Sequence, residues 1–336
     1  MNRQALLETL HLADLIDRAR ANEALTRADL ARVLDARNPL AAASLADMRR
    51  DAVSGVTVTY PVTLRVRAPG CEAPPQNAML VSHAFAELAG IEATEMQLVG
   101  ALPAAAQLDQ ALEIVQPVAS ARRDLPLRAL SADDVAAIGR HDRIAFADVL
   151  GSLAKAGVAT LDWRPGGDSS PDAVRIHKAA HDAGMTTFAP VTYSRGGVGK
   201  AYLDRLWALR TVAEETQGFV SAVLLPDRTE GVSPLEGTSG TEDWLAASLA
   251  RLALGHVIPH FTVDAHVVGH KLAATLLSCG ADDFVGAQAA GAWAPPTDDG
   301  PRPLNQARVT KYVIEARRSP VRRDGLFRSP AETAAE

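Results

Sequence analysis

The chain has 336 residues, 47% of them hydrophobic, which is enough to bury a core as one large domain or two smaller ones. Its 34 basic and 40 acidic side chains give a net charge of -6, which argues against a nucleic-acid-binding surface. No apolar stretch reaches the roughly 18 residues that a membrane span needs, and the first ten residues lack a signal-peptide pattern. We therefore expect a cytoplasmic protein with neither nucleic acid nor membrane as a partner.

The first 54 residues are predicted to form a helical extension of two or three short helices. Apolar residues recur at helical spacing as far as about Met48, and Thr26 stands where a second helix would begin. At Val53 the period changes to the alternation that is typical of strands with one buried face.

From there, short strand-like runs alternate with helical ones as far as residue 290. Eight strands are predicted, at 62–68, 96–102, 126–131, 159–163, 186–193, 219–226, 256–263 and 283–287. Eight strands separated by helices indicate an α/β fold with a parallel (β/α)8 barrel of the TIM type over 55–290, and a doubly wound open sheet is the alternative. The remainder, 291–336, is predicted to form a loop, a closing helix and a tail.

The working surface of such a barrel is the rim formed by the carboxyl ends of its strands. Arginines, aspartates, histidines and a tryptophan there suit a small anionic or nucleoside-like ligand, which could stack on Trp163. Asp162, Asp264 and His266 are the candidate acid or base groups. The candidate ligand-binding residues are Arg65, Gly100, Asp134, Asp162, Trp163, Arg164, Tyr193, Arg195 and His260.

Three histidine pairs have the HxxxH spacing that can form half of a zinc site on a helix. They are His177 with His181, His256 with His260, and His266 with His270. None encloses the glutamate of a metalloprotease, and we expect no metal site. A metal-dependent hydrolase using His260, Asp264 and His266 stays an alternative that depends on spacing alone.

The order of several motifs resembles one enzyme family over nearly the whole chain. The runs HKAAHDAGMTTFAPVTYS, GHVIPHFTVDA, SCGADDFVGA and VIEARRSPVRRDGLFR are similar to the second half of the radical SAM enzymes of the futalosine route to menaquinone. These are aminofutalosine synthase and dehypoxanthine futalosine cyclase, and the deazaflavin synthase subunits are more distant kin. The resemblance implies a radical SAM-like barrel.

Members of that family hold a four-iron cluster through CxxxCxxC after the first strand and use it to cleave S-adenosylmethionine. Here Cys71 fits the first ligand, but Pro75 and Ala78 stand at the other two positions and offer no ligand atom. The second cysteine of the chain, Cys279, lies far along the sequence. We therefore expect no iron–sulfur cluster and no radical SAM activity.

Other family positions are kept in part. Gly100 lies in VGALP, which is similar to the family's stretch near the methionine moiety, although Leu102 replaces the usual histidine. Asp134 in SADDV matches an acidic residue near the nucleotide, and YSRGG keeps Tyr193 but offers Arg195 as its charged group. The losses fall on the rim, which suggests a retained fold with a changed or discarded reaction.

The resemblance implies a cluster-less homologue linked to menaquinone biosynthesis, acting as a non-catalytic binding or partner subunit. Its expected partner is an active radical SAM homologue or a second copy of the chain, and binding of S-adenosylmethionine is left open. The alternative is an enzyme that keeps a nucleoside pocket and performs non-radical acid and base chemistry on a futalosine-type substrate. Whether the chain is an enzyme is not decided by its sequence.

Overall fold

The computed structural model describes residues 3–67, 79–80, 91–99, 107–163, 172–227, 237–289 and 304–328. Within these ranges, no helix combines the length and the apolar character that crossing a membrane requires.

The chain begins with four helices: α1 (Arg3–Thr9), α2 (Leu15–Arg20), α3 (Arg27–Asp35) and α4 (Pro39–Ser54). Thr26 caps α3 through a capping box with Asp29, as its sequence position predicts. The expectation that strand pattern begins at Val53 is wrong, because α4 continues to Ser54. The helix ends at Gly55, whose φ of +57° is a conformation that glycine adopts readily.

The strands and helices then alternate along the chain. The strands are β1 (Thr57–Tyr60), β2 (Val62–Arg67), β3 (Met79–Leu80), β4 (Glu95–Leu98), β5 (Leu127–Arg128), β6 (Val158–Thr160), β7 (Thr187–Tyr193), β8 (Phe219–Pro226), β9 (His260–Asp264), β10 (Asp283–Val285), β11 (Ala287–Gln288) and β12 (Ser319–Arg322). The helices are α5 (Leu108–Ala121), α6 (Ala132–Asp142), α7 (Phe146–Lys155), α8 (Ala173–Asp182), α9 (Lys200–Thr216), α10 (Gly240–Leu254), α11 (Ala265–Val268), α12 (His270–Leu276) and α13 (Gln306–Glu315).

Several predicted elements differ from the structure in their bounds. The strand predicted over 256–263 begins only at His260, after Pro259, whose nitrogen cannot donate to a sheet. The helical stretch after β9 consists of two helices, α11 and α12, which are separated at Gly269, where φ is +82°. By contrast, the predicted strand 219–226 coincides with β8.

The strands form two sheets, and every strand pair whose register is defined is parallel. Sheet 1 has the order β12-β1-β10-β9-β8-β7, and sheet 2 has the order β11-β2-β4-β5-β6, with β3 beside β2. The edge strand β12 lies in a stretch where the sequence predicts no strand. It contains Pro320, which an edge position tolerates because a proline nitrogen cannot donate to a ladder.

The chain divides into two compact units. Unit 1 comprises Met1–Thr59, Ala189–Val285 and Tyr312–Pro320. Unit 2 comprises Tyr60–Phe188, Gly286–Lys311 and Val321–Glu336. Within unit 1, α4 and α10 pack through buried small and apolar residues such as Ala42, Leu45, Ala246 and Leu249.

Unit 1 also carries a chain of hydrogen-bonded hydroxyl and carboxylate groups across its strands. Thr59 and Thr262 donate to the two carboxylate oxygens of Asp283 at 2.7 and 2.8 Å, and the hydroxyls of Ser221 and Thr262 lie 2.7 Å apart. The strand register places these four side chains on the same face of sheet 1.

Candidate functional site

Polar side chains line one face of sheet 2 in unit 2. The strand register pairs Thr63 with Glu95, Arg65 with Gln97, and Gln97 with Arg128. Paired residues of a parallel sheet project to the same side, so these side chains share a face. The residues of this polar face are Thr63, Arg65, Glu95, Gln97, Arg128, Thr160, Asp162 and Gln288, all buried.

The opposite face of the same strands is apolar. Leu64, Val66, Met96, Leu98 and Leu127 alternate with the polar residues, and all are buried. The alternation therefore places a hydrophobic layer on one side of sheet 2 and a charged layer on the other.

Arg128 is the centre of the polar face. Its Nη2 lies 3.3 Å from Oε1 of Glu95, and its Nε lies 3.3 Å from Oδ1 of Asp162. Its Cζ stands 3.6 Å from the centroid of the Trp163 ring, a short cation–π distance. The guanidinium is thus held between two carboxylates and an indole.

Further hydrogen bonds fix the two carboxylates. Thr63 donates to Glu95 at 2.7 Å, and Nε2 of Gln97 donates to both oxygens of Asp162 at 3.2 and 3.1 Å. Asp162 is therefore a paired, hydrogen-bonded carboxylate, which suits it for orienting a ligand or a neighbouring cation.

Two atoms stand out among the buried donors of the polar face that have no hydrogen-bond acceptor within the described parts of the chain. They are Nη1 of Arg128 and Nε2 of Gln288, on residues that are 1% and 5% exposed. Since buried donors are nearly always satisfied, these two atoms suit the oxygen acceptors of a bound molecule.

The structure brings part of the predicted site together. Asp162 and Trp163 both contact Arg128, and Arg65 is the register partner of Gln97, which bonds Asp162. Trp163 is 4% exposed, and one face of its ring is covered by the Arg128 guanidinium. Gly100, Arg164 and the cluster-loop positions Cys71, Pro75 and Ala78 lie outside the described residues.

Asp134 is engaged at a helix start. Its carboxylate accepts from the backbone nitrogen and the hydroxyl of Ser131 at 2.8 and 2.9 Å, which completes the capping box of α6. A role for Asp134 in ligand binding stays a prediction.

The remaining predicted residues belong to unit 1. The hydroxyl of Tyr193 donates to Asp243 at 2.9 Å, whereas Arg195 is exposed. Asp264 caps the short helix α11 by accepting from the backbone nitrogen of His266 at 2.8 Å. Each contact holds a loop or a helix end in place.

His260 does not lie at the carboxyl end of its strand as predicted. It is the first residue of β9, whereas Asp264 is the last, and its Nδ1 lies 3.4 Å from Asp282. Because the two residues mark opposite ends of one strand, this strand does not assemble the metal set of His260, Asp264 and His266. No group of three or more metal-ligating side chains occurs among the described residues.

Glu95, Gln97 and Arg128 were missed by the sequence analysis. The sequence pattern that could have identified them is the alternation of polar and apolar residues in EMQL and PLRAL. The same alternation occurs at Thr63 and Arg65 in the preceding strand.

The described structure resembles solved structures of radical SAM enzymes. It superposes on the FeFe-hydrogenase maturase HydG from Carboxydothermus hydrogenoformans with a TM-score of 0.59 at 11% identity, covering 97% of this chain and 82% of that one. Methylornithine synthase (PylB) gives 0.62 at 16% identity, covering 92% and 97%. The predicted parallel α/β fold of the radical SAM type is thereby confirmed, and the described strands form two sheets in which no closed barrel is seen.

Curated sequences provide the second comparison. The chain is 25% identical over 280 residues to 5-amino-6-(D-ribitylamino)uracil--L-tyrosine 4-hydroxyphenyl transferase of Archaeoglobus fulgidus, covering 74% of this chain and 82% of that protein. It is 27% identical over 247 residues to aminodeoxyfutalosine synthase of Thermus thermophilus, covering 65% and 64%. No protein-family model matches the chain.

The fold of the described residues is that of the radical SAM enzymes. In sequence, the chain is similar to enzymes that include aminodeoxyfutalosine synthase, as the sequence motifs predict.

Proposed function

We propose that the chain is a radical SAM homologue without an iron–sulfur cluster that binds a small nucleoside-like ligand on the polar face of sheet 2. In this proposal it serves menaquinone biosynthesis by the futalosine route, as a binding or partner subunit of an active relative. The observation that carries the proposal is a buried charged face in a chain that has too few thiolates to hold a cluster.

The residues present do not fit a cluster of the kind that the relatives use. The chain has two cysteines, and three thiolates are needed. Cys279 precedes β10, is 1% exposed, and contacts the carbonyl of Thr275 through its Sγ. Burial, aided by Asp47, raises the pKa of its thiol to about 12, so this sulfur is a neutral thiol and a poor metal ligand.

The ligand-binding part of the proposal is supported by the chemistry of the polar face. Arg128 and Gln288 present buried donors that lack acceptors in the described structure, and Asp162 presents an acceptor that is already oriented by Gln97. A nucleoside offers hydroxyl and carbonyl oxygens for the donors and hydroxyl protons for the carboxylate.

Anaerobic reconstitution with iron and sulfide tests the cluster part. We expect the parent protein to retain far fewer than four irons per chain and to leave S-adenosylmethionine uncleaved. A variant with Pro75→Cys and Ala78→Cys is the matched control for the loop. Four irons per parent chain, with cleavage of S-adenosylmethionine, would contradict the proposal.

Calorimetric titration with S-adenosylmethionine, adenosine and a futalosine-type nucleoside tests the ligand part. Asp162→Asn keeps the size of the side chain but removes its charge, and we expect it to weaken binding at least tenfold. Asp172→Asn, on a carboxylate that pairs with the exposed Arg140, is the control. Turnover of aminofutalosine without iron would favour the alternative of an acid and base enzyme.

The partner part is tested by co-expression with an active radical SAM homologue, followed by size-exclusion chromatography with light scattering. A heteromeric complex supports a partner subunit, whereas a symmetric dimer of this chain alone would indicate a self-contained assembly.

A further inference from the structure

The C-terminal segment 323–328 contacts Tyr60, at the end of β1, and the start of β4 in unit 2. The backbone nitrogen of Arg323 donates to the carbonyl of Tyr60 at 3.0 Å. A Cβ placed on Gly325 would lie 3.1 Å from Cβ of Glu95 and 3.2 Å from Cβ of Pro126, so the segment touches the start of β4. Arg323 is 2% exposed.

A line of alternating charges joins this segment to Asp162. Nη1 of Arg323 lies 3.6 Å from Oε2 of Glu95, whose other oxygen lies 3.3 Å from Nη2 of Arg128. Arg128 in turn contacts Asp162. Because Glu95 is shared by two buried arginines, its position depends on both.

A second line of contacts runs through aromatic rings. Cζ of Arg323 lies 3.9 Å from the centroid of the Phe327 ring, and Phe327 lies 6.0 Å from Phe188. Phe188 meets Trp163 edge-on with centroids 4.6 Å apart, and Trp163 carries Arg128 on its face. Both lines thus begin at Arg323 and end at Arg128.

The segment is itself held in a defined turn. Oδ1 of Asp324 accepts from the backbone nitrogens of Leu326 and Arg328 at 2.8 Å each, and Oδ2 pairs with Nε of Arg328 at 2.8 Å. Phe327 adopts φ +64°, which a non-glycine residue takes only where its surroundings hold it. The ring of Phe327 is therefore presented to Phe188 by a constrained backbone.

We propose that Arg323 and Phe327 are positioning residues for the Arg128–Trp163 pair, so that the C-terminal segment forms part of the binding site. Arg323 fixes the guanidinium through Glu95, and Phe327 fixes the indole through Phe188. The consequence for ligand affinity rests on the proposed function, whereas the orientation of the pair does not.

The test uses the full-length chain with Trp207, Trp244 and Trp293 replaced by phenylalanine, so that fluorescence reports on Trp163. We expect Arg323→Met and Phe327→Leu each to raise the acrylamide quenching constant at least twofold, at a temperature well below unfolding. Arg323→Lys keeps the charge beside Glu95 and is expected to restore part of the shielding. Arg322→Met is the matched control, because Arg322 pairs with the exposed Glu92.

Unchanged quenching in both variants, with unchanged circular dichroism, would overturn the positioning role. If Arg323→Met does not fold, Phe327→Leu decides, since it removes the ring contact and keeps an apolar side chain. Binding of S-adenosylmethionine and adenosine is then measured by calorimetry. Failure of the parent to bind either would contradict the proposed function, and the fluorescence result would still decide the positioning of Trp163.

Discussion

The guanidinium of Arg128 lies over the indole of Trp163, with its Cζ 3.6 Å from the ring centroid, and its nitrogens pair with Glu95 and Asp162. A buried cation in this setting has its charge balanced on two sides and its apolar surface covered on a third. The Arg128–Trp163 pair therefore contributes to the stability of unit 2 and also fixes the positions of the side chains on its polar face.

Replacing Arg128 by methionine is expected to lower the free energy of unfolding by about 3 kcal/mol, because Asp162 then loses its cation in a buried site. Urea denaturation followed by circular dichroism measures the change. Arg140→Met, which removes an exposed pair with Asp172, should cost less than about 1 kcal/mol. Equal decreases in the free energy of unfolding of the two variants would contradict the expectation that burial of the ion pair determines the size of the effect.

The pH dependence of stability is expected to report on His177. Burial, together with nearby His181, lowers the pKa of His177 to about 3, and its Nδ1 lies 3.0 Å from the hydroxyl of Thr187. In the unfolded chain its pKa is about 6.5. Protons therefore bind the unfolded state first as the pH falls, and stability is lost progressively below about pH 6.5.

Protonation of His177 in the unfolded chain lowers the free energy of unfolding by about 2 kcal/mol between pH 7 and pH 5. The variant His177→Gln should lack this loss. Chemical denaturation at both pH values measures the difference. His141→Gln, on the surface beside Asp142, serves as the control and should keep the parent's slope. A parent-like slope in His177→Gln would refute the assignment.

In unit 1, Asp282→Asn is expected to cost about 3 kcal/mol, since it leaves the fully buried Arg251 without its carboxylate, which lies 3.5 Å away. Burial opposes ionisation of Asp282, but Arg251 and His260 hold its pKa below the usual range. Asp204→Asn, at an exposed carboxylate that pairs with the exposed Arg27, should change stability by less than about 1 kcal/mol. Unfolding curves of both variants provide the comparison.

Thiol labelling separates the two cysteines. At pH 8 the folded protein should show at most one reactive thiol, because the Cys279 thiol is buried and its pKa is raised to about 12. In the Cys71→Ser variant, reaction with a disulfide reagent should appear only after denaturant is added. Rapid labelling of that variant in its folded state would count against the burial of Cys279.

Much of the fold was predictable because hydrophobic period and capping residues act locally. The predicted strand 219–226 coincides with β8, and Thr26 caps the start of α3, where its position predicts a helix to begin. The boundary near Val53 was not predictable, since a short helical end and a strand start share the same alternation of small and apolar residues.

The site was predicted only in part. Asp162 and Trp163 follow a strand directly and could be selected as rim residues. Glu95 and Arg128 lie within strands, where charged side chains are rare and where only a partner on another strand makes them tolerable. Arg323 depends on a contact with a residue more than two hundred positions earlier, which no local pattern encodes.

Sheet 1 ends, within the described structure, at a strand that carries Pro320 and whose residues are partly open to solvent. Proline lacks the amide hydrogen with which a neighbouring polypeptide would register, so this border is a poor template for self-association. Substituting Pro320 by valine would supply that hydrogen together with a residue favoured in β-structure, and concentrated solutions of the altered protein should aggregate more readily than those of the parent.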